Sequence, residues 1–332
     1  MDALIDSLRR GDRRSLARAM SLVDRAGPDA RPLIDWLRQH TGPVPWWGIT
    51  GPPGVGKSTL IDALLSRLRQ RGRRIGVVAV DPTSPTSDGA VLGDRIRMMG
   101  HAEDRDVFIR SLATHGREGG LSDATLHCAR LLEVAGYDPV LIETVGVGQN
   151  EFDVAGVADL CVVLLGPGYG DHIQLIKAGL LQIADLVAVN KCDQPEANRL
   201  LTEVREELRS VAGGRFPTAG HPDQPEGPGG DSAIEILGIE AKSGRDVDRL
   251  LDKLFELDGR VRPADRRDVY RRRRILGEIR RAALLRFAQR LDRTLADDGG
   301  AGLIDELDGG RSSLEEVIVR LATSDDARSV DG

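Results

Sequence analysis

Twelve residues, Gly48 to Thr59, read GITGPPGVGKST. Gly51, Gly56, Lys57 and Ser58 fall at the spacing G-x-x-x-x-G-K-[ST], which is the spacing of a loop that wraps a chain of phosphates. Gly54 and Gly56 let the backbone of Gly51, Pro52, Pro53, Gly54, Val55 and Gly56 curl so that several N–H groups face one anion. The helix expected to follow, through Thr59, adds its positive N-terminal end. Lys57 would neutralise β- and γ-phosphate charge, and the Ser58 hydroxyl would ligate Mg²⁺. A chance glycine-rich turn is the bland alternative. The placement between a strand and a helix favours the phosphate loop.

A second motif, NKCD, spans Asn190 to Asp193 at the end of an apolar run. In the pattern N-K-x-D, the Asp193 carboxylate accepts from guanine N1–H and the 2-amino group as a bidentate, charge-assisted pair. Adenine offers no such pair, and a buried carboxylate left unpaired is costly. Asn190, Lys191 and Asp193 are therefore candidate base contacts, against the alternative of a polar strand exit.

The third motif is LIETVGVG, in which Glu143 and Gly146 form E-x-x-G. Glu143 either holds Mg²⁺ through water or orients the attacking water, and the Gly146 N–H meets the γ-phosphate; a plain turn cap is the structural alternative. The position after Gly146, where a switch GTPase carries a water-positioning Gln, is Val147, and the nearest Gln is Gln149. Slow basal hydrolysis of GTP to GDP and phosphate follows. Asp81 and Asp94, in a Thr-, Ser- and Gly-rich stretch, are candidate Mg²⁺ partners directly or through water, although Asp-Pro also begins ordinary turns. His115 sits in a second glycine-rich loop, where a lone histidine is usually solvated.

These residues need a scaffold. PWWGIT, RRIGVVAV, DPVLIETVG, DLCVVLLGPG, DLVAVNKCD and AIEILGIEA are apolar runs of strand length. Continuous runs alternating with helices predict an α/β fold: a P-loop NTPase with a mostly parallel, doubly wound sheet. Ligands bind at the carboxyl ends of such strands, which is where the motifs fall. STLIDALLSRLRQRG and DHIQLIKAGLLQIA read as helices. Residues 2–40 read as two amphipathic helices broken at Gly27-Pro28. Residues 213–230 hold six Gly and four Pro, a loop composition. From Arg260 to Arg293 there are thirteen Arg against four acids, with Ile275, Ile279, Ala283, Phe287 and Leu291 recurring every fourth residue. That predicts a basic amphipathic helix outside the sheet. RNA is one reading of its charge, but the apolar stripe suits a packing or partner face better. A cap at Ser312 or Ser313 starts a last helix. The expected division is 1–42 helical extension, 43–258 GTPase core and 259–332 C-terminal helices.

The 332 residues are 40% apolar, 30% charged and 3% aromatic, with a net charge of -6. The charge argues against a nucleic-acid binder. Cys128, Cys161 and Cys192 form no CxxC pair, which fits a reducing compartment and gives no metal framework. Neither an apolar signal core nor a membrane-length run is present, so the expected location is cytoplasmic with no membrane partner.

Taken together, HTGPVPWWGITGPPGVGKSTL, VAVDPTSPTSDGAVLGDRIRM, FIRSLATHGREGGLS, LIETVGVGQNE, ADLVAVNKCD and GGRSSLEEVIVRLA resemble the MeaB/MMAA-like (ArgK-type) GTPases over most of the chain. That resemblance implies a G-protein chaperone of an adenosylcobalamin-dependent acyl-CoA mutase such as methylmalonyl-CoA mutase. It implies a homodimer formed through the C-terminal tail, GTP and Mg²⁺ as ligands, and no tightly bound organic cofactor of its own. It places Lys57, Asp81, Asp94 and Glu143 in the nucleotide and magnesium site. The chain departs from the family pattern at Thr86, Asp88 and Glu118. It departs again in EAKSGRD, Glu240 to Asp246, from which Ala241 and Lys242 are candidate base contacts. The runner-up reading is a GTPase metallochaperone of nickel-insertase type, which would want a His-rich tract or paired Cys; the six His and three separated Cys do not supply one.

Overall fold

The computed structural model describes every residue except 26, 41, 82–98, 102, 114–122, 145–153, 155–156, 169–179, 211–233, 261–264, 297 and 324–332. Asp94, Gly146, His115, the 213–230 loop and most of the expected helix at DHIQLIKAGLLQIA therefore lie outside the described residues. So does the side chain of Asp81. The described chain divides into two units, Met1–Arg274 and Ile275–Gly332.

The first unit is built on seven strands: β1 (Trp46–Thr50), β2 (Ile75–Asp81), β3 (Val107–Ala113), β4 (Val140–Glu143), β5 (Leu160–Leu165), β6 (Leu186–Val189) and β7 (Glu235–Gly238). Their order is β3-β2-β4-β1-β5-β6-β7, and every pairing is parallel. β1 lies between β4 and β5, where the strand order reverses, so its carboxyl end opens at the switch point of the sheet. Successive side chains of a strand point to opposite faces. Trp46 accordingly joins a core with Val78, Ile142, Leu126 and Leu132 on one face, and Trp47 one with Leu64, Val77, Leu141 and Leu250 on the other.

The helices of this unit are α1 (Asp2–Arg9), α2 (Arg13–Asp24), α3 (Arg31–Gln39), α4 (Lys57–Gln70), α5 (Asp123–Val134), α6 (Pro195–Ser210) and α7 (Val247–Gly259), followed by the first turns of α8 (Arg266–Ala296). The N-terminal segment holds three α-helices rather than the expected two. Gly11 takes φ +74°, and Asp12 then caps a new helix by accepting from the Ser15 N–H at 2.7 Å. Their apolar stripes (Ile5 and Leu8; Leu16, Met20 and Val23; Leu33 and Leu37) pack on α5. α5 packs on β2, β3 and β4 in turn. It is consequently buried from Thr125 to Glu133.

β3 was not marked by the sequence pattern. It is an edge strand, and its half-exposed middle carries Arg110 and Ser111, which interrupt the apolar run. Arg110 pairs with Asp24 of α2 at 3.0 Å. Arg13 donates to the carbonyls of Arg105 and Val107 at 2.7 and 2.8 Å while lying over the Phe108 ring. The N-terminal helices thus close one side of the sheet by apolar packing and by arginine contacts to its edge.

At the amino end of the sheet, Arg274 is fully buried between two buried carboxylates. It contacts Glu133 at 3.0 Å and Asp159 at 2.5 Å. It also donates to the Val44 carbonyl at 2.6 Å and stacks 3.6 Å from the Trp46 ring centroid. Glu133 accepts from the Val44 N–H and Asp159 from the Trp46 N–H. One guanidinium thereby ties the start of α8 to the end of α5, the entry of β1 and the entry of β5. Burial pushes the Glu133 carboxyl up to about 7 against the pull of Arg274, and raises Asp159 too.

The second unit contains the rest of α8, then α9 (Asp298–Asp308) and α10 (Leu314–Thr323). α10 starts in a reciprocal cap: Ser313 Oγ accepts from the Glu316 N–H at 3.1 Å, and Glu316 accepts from the Ser313 N–H at 2.8 Å. Ile304, Leu314, Ile318 and Val319 are exposed. Among the described residues no helix is long and apolar enough to cross a membrane.

Candidate nucleotide site

The site forms where β1 runs into α4. Two glycines make the turn possible. Gly51 has φ +141°, and a Cβ there would sit 2.1 Å from the Leu164 carbonyl oxygen. Gly56 has φ +105°, and its Cβ would sit 2.4 Å from Asn190 Nδ2. Any side chain would push the loop off the ends of β5 and β6. Gly56 occupies the N-cap of α4, and no side chain caps that end. The first-turn N–H groups of α4 are thereby presented to the loop, a ready anion site.

Lys57 is buried and folds back over the loop, donating to the carbonyls of Gly51 at 2.8 Å and Pro52 at 3.0 Å. These bonds hold the ammonium above the turn. Ser58 Oγ donates to Glu143 Oε1 at 2.8 Å, with both residues buried. β1 and β4 pair in register with Ile49 opposite Glu143, which brings the carboxylate level with the loop. Two hard oxygens this close, beside a phosphate loop, suit Mg²⁺. Among the described residues no three His, Cys, Asp or Glu side chains cluster as a metal site. Asp81 ends β2, next to β4 in the sheet, at the same carboxyl edge.

Asn190 links two parts of the site. Its Nδ2 donates to the Val55 carbonyl at 2.9 Å, and its Oδ1 accepts from the Ala241 N–H at 2.9 Å. Lys191 takes φ +61°, and its ammonium donates to the Gly54 carbonyl at 3.3 Å. Asp193 is exposed at the rim, as are Pro53, Gly54 and Lys242, while Ala241 is buried. The turn from Glu240 is closed by Gly244 N–H to Glu240 O at 2.9 Å and Glu240 N–H to Arg245 O at 3.0 Å. So the fold gathers Gly51–Thr59, Glu143, Asn190–Asp193 and Ala241–Lys242 at one edge of the sheet.

Two residues that the motifs did not single out also lie here. Thr144 Oγ1 donates to Thr50 Oγ1 at 2.9 Å, both buried. The only sequence signal was their position, one immediately before Gly51 and one immediately after Glu143. The three cysteines are free, and burial raises each thiol above its ordinary range.

A family described as methylmalonyl-CoA mutase-associated GTPase MeaB matches residues 16–294. A putative GTPase of Pyrococcus horikoshii is 50% identical over 198 residues, 60% of this chain and 62% of that protein. The mouse mitochondrial methylmalonic aciduria type A homolog is 41% identical over 273 residues, 77% of this chain and 62% of that protein. The chain thus spans less than two thirds of the length of these relatives. A crystal structure of a LAO/AO transport system kinase superposes with a TM-score of 0.69 at 25% identity, covering 97% of this chain and 96% of its own. Residues 16–294 carry the whole phosphate loop, Glu143 and Asn190–Asp193, and by that match the chain belongs to the MeaB family of methylmalonyl-CoA mutase-associated GTPases.

Proposed function

We propose that this chain is a Mg²⁺-dependent GTPase that gates cofactor loading of an adenosylcobalamin-dependent acyl-CoA mutase and protects the loaded enzyme. The observation that carries the nucleotide part is the Asn190 bridge. It joins the phosphate loop at Val55 to the turn at Ala241, so phosphate and base contacts are set by one side chain. The family match and the mouse relative support the mutase part.

In this reading the N–H groups from Gly51 to Thr59 bind the phosphates, and Lys57 balances their charge. Asp193 and the Ala241–Lys242 turn read the guanine. Ser58 and Glu143, with Asp81 and Asp94 as further candidates, hold the metal. When bound, Mg²⁺ neutralises charge on the β- and γ-phosphate oxygens. Glu143, which accepts from the Ser58 hydroxyl at 2.8 Å, would hold the metal through water or orient the attacking water. Gly146 supplies an N–H to the γ-phosphate. No glutamine follows it, so turnover is slow until a partner completes the site.

A homodimer is part of the reading. Leu314 and Ile318 are exposed four residues apart on α10, the spacing of one helix face. The cytoplasm is its expected place of work.

The test is turnover of GTP and of ATP by the purified chain, alone and with a cobalamin-dependent acyl-CoA mutase. GTP preferred over ATP, with slow turnover changed by the mutase, is the expected outcome. Equal use of ATP would remove the guanine reading. A mutase that neither binds nor changes turnover would remove the chaperone reading and leave the GTPase intact.

A further inference from the structure

We infer that the Thr144 hydroxyl is a positioning group for the reaction: its bond to Thr50 locks the metal-side carboxylate Glu143 to the phosphate loop. The inference rests on reading this edge as a Mg²⁺–GTP site. Thr50 and Thr144 are 0% and 2% exposed. A valine has the same shape and would fill both places without a polar atom to satisfy. Burying a hydroxyl is costly unless it is bonded, and here each hydroxyl meets the other at 2.9 Å.

The location gives the pair its role. Thr50 is the last residue of β1, and the next residue, Gly51, offers the carbonyl that holds Lys57. Thr144 follows Glu143, the last residue of β4. The Thr144 N–H donates to the Ile49 carbonyl at 3.2 Å, so backbone and side chain both tie Thr144 to the end of β1. Three bonds then cross the site in a row: Lys57 to Gly51, Thr144 to Thr50, and Ser58 to Glu143. The first fixes the phosphate-side cation and the third fixes the metal-side oxygens. The middle bond sets the distance between them. β-Branched threonine is stiff at χ1, so a hydroxyl pair at two strand ends is a firm spacer. Without it β1 and β4 still pair and Ser58 still donates to Glu143, but the side-chain tie between the two strand ends is lost. Catalysis by pre-aligned groups is sensitive to displacements of this kind.

The test uses the full chain with Thr144→Val, Thr144→Ser and Thr50→Val. Release of a fluorescent GDP analogue is followed across Mg²⁺ concentrations, beside steady-state GTP turnover and thermal unfolding. For Thr144→Val, the Mg²⁺ concentration needed to slow nucleotide release should rise several-fold and kcat should fall about tenfold, with KM for GTP within about twofold. Thr144→Ser should restore both. Thr50→Val should shift both readouts in the same direction as Thr144→Val, and the double valine variant should lose less than the sum of the two single losses, since the Thr50–Thr144 bond is common to both. A Thr144→Val protein with wild-type Mg²⁺ dependence and kcat would overturn the inference. So would additive losses, or losses that merely track the folded fraction. If nucleotide release from the wild-type chain ignores Mg²⁺, the site reading itself fails, and this inference fails with it.

Discussion

Asn190 Nδ2 lies 2.9 Å from the Val55 carbonyl and would collide with any Cβ on Gly56, so the base-side strand and the phosphate loop are fitted to each other through one amide. Removing that amide leaves the Val55 carbonyl and the Ala241 N–H without the partner they share, in a buried place. Each such loss costs about 1–3 kcal/mol. Asn190→Ala should therefore weaken GTP and GDP together, by about ten- to a hundredfold. Asp193→Asn should instead narrow the gap between guanine and inosine or adenine nucleotides. Calorimetric titration of both variants separates the two effects, and identical behaviour would count against the bridge.

The Ser58–Glu143 bond yields a second expectation. Ser58→Ala removes a metal-side oxygen, and Glu143→Gln replaces one with an amide nitrogen and removes the negative charge, while both leave the phosphate loop in place. Turnover should fall by about a hundredfold or more, whereas GDP measured without Mg²⁺ should bind as in the wild type. Lys57→Ala should abolish turnover with little change in unfolding temperature, since its bonds to the Gly51 and Pro52 carbonyls are local to the turn between β1 and α4. Unchanged hydrolysis in Lys57→Ala would move the active site elsewhere.

The buried trio of Arg274, Glu133 and Asp159 makes a stability prediction. Truncating the arginine strands two carboxylates and frees the Val44 carbonyl. Arg274→Ala should destabilise by about 3–5 kcal/mol. Arg274→Lys should recover part of this, because it restores the charge without the fork. Urea unfolding measures both.

The pH dependence follows from the same end of the sheet. Burial pushes Asp185 up to about 6 and Glu133 up to about 7. The ordinary values of these carboxyls, 3.8 and 4.5, apply in the unfolded chain. The folded state therefore binds protons that the unfolded chain has released. Stability from these groups is present below about 4 and is lost as pH rises toward 7. Unfolding temperature should fall across that window from this contribution. Asp185→Asn keeps an acceptor for the Cys161 N–H, bonded at 2.7 Å, and should flatten the slope between pH 4 and 6. An Asn variant with an unaltered slope would show that Asp185 is ionised throughout.

Much of the architecture was legible in the residues. Six strands announced themselves as apolar runs, five of them because both faces of the interior of a parallel sheet are covered, and the edge strand β7 because its run AIEILGIEA keeps its apolar residues together. β3 did not, because an edge strand shows Arg110 and Ser111 to one side. The N-terminal helices were visible as periodicity, but the break at Gly11 was missed: a single αL glycine between two charged stretches looks like helix surface. The glycine-rich turn between β1 and α4 could be picked out because its spacing encodes a turn, and a turn is local. Arg274 could not. It sits in a run of four arginines, Arg271 to Arg274, and only the fold decides which one enters the interior. Its partners lie at positions 133 and 159, and no local pattern joins three such distances. Thr50 and Thr144 were hidden for the same reason, since each looks like an ordinary strand residue until β1 and β4 are set side by side.

α5 shows why the N-terminal helices are not an accessory. A helix buried all round has no surface of its own, so it belongs equally to the layer beneath and the layer above. Deleting residues 1–40 would not trim this chain to a minimal unit. It would strip the outer wall from an interior helix, α5 (Asp123–Val134), whose side chains from Thr125 to Glu133 are buried. The molecule is in this sense indivisible at its N-terminal end. Any displacement of α1 to α3 must be felt by α5, so the segment most easily taken for an appendage is part of the wall against which the sheet is packed.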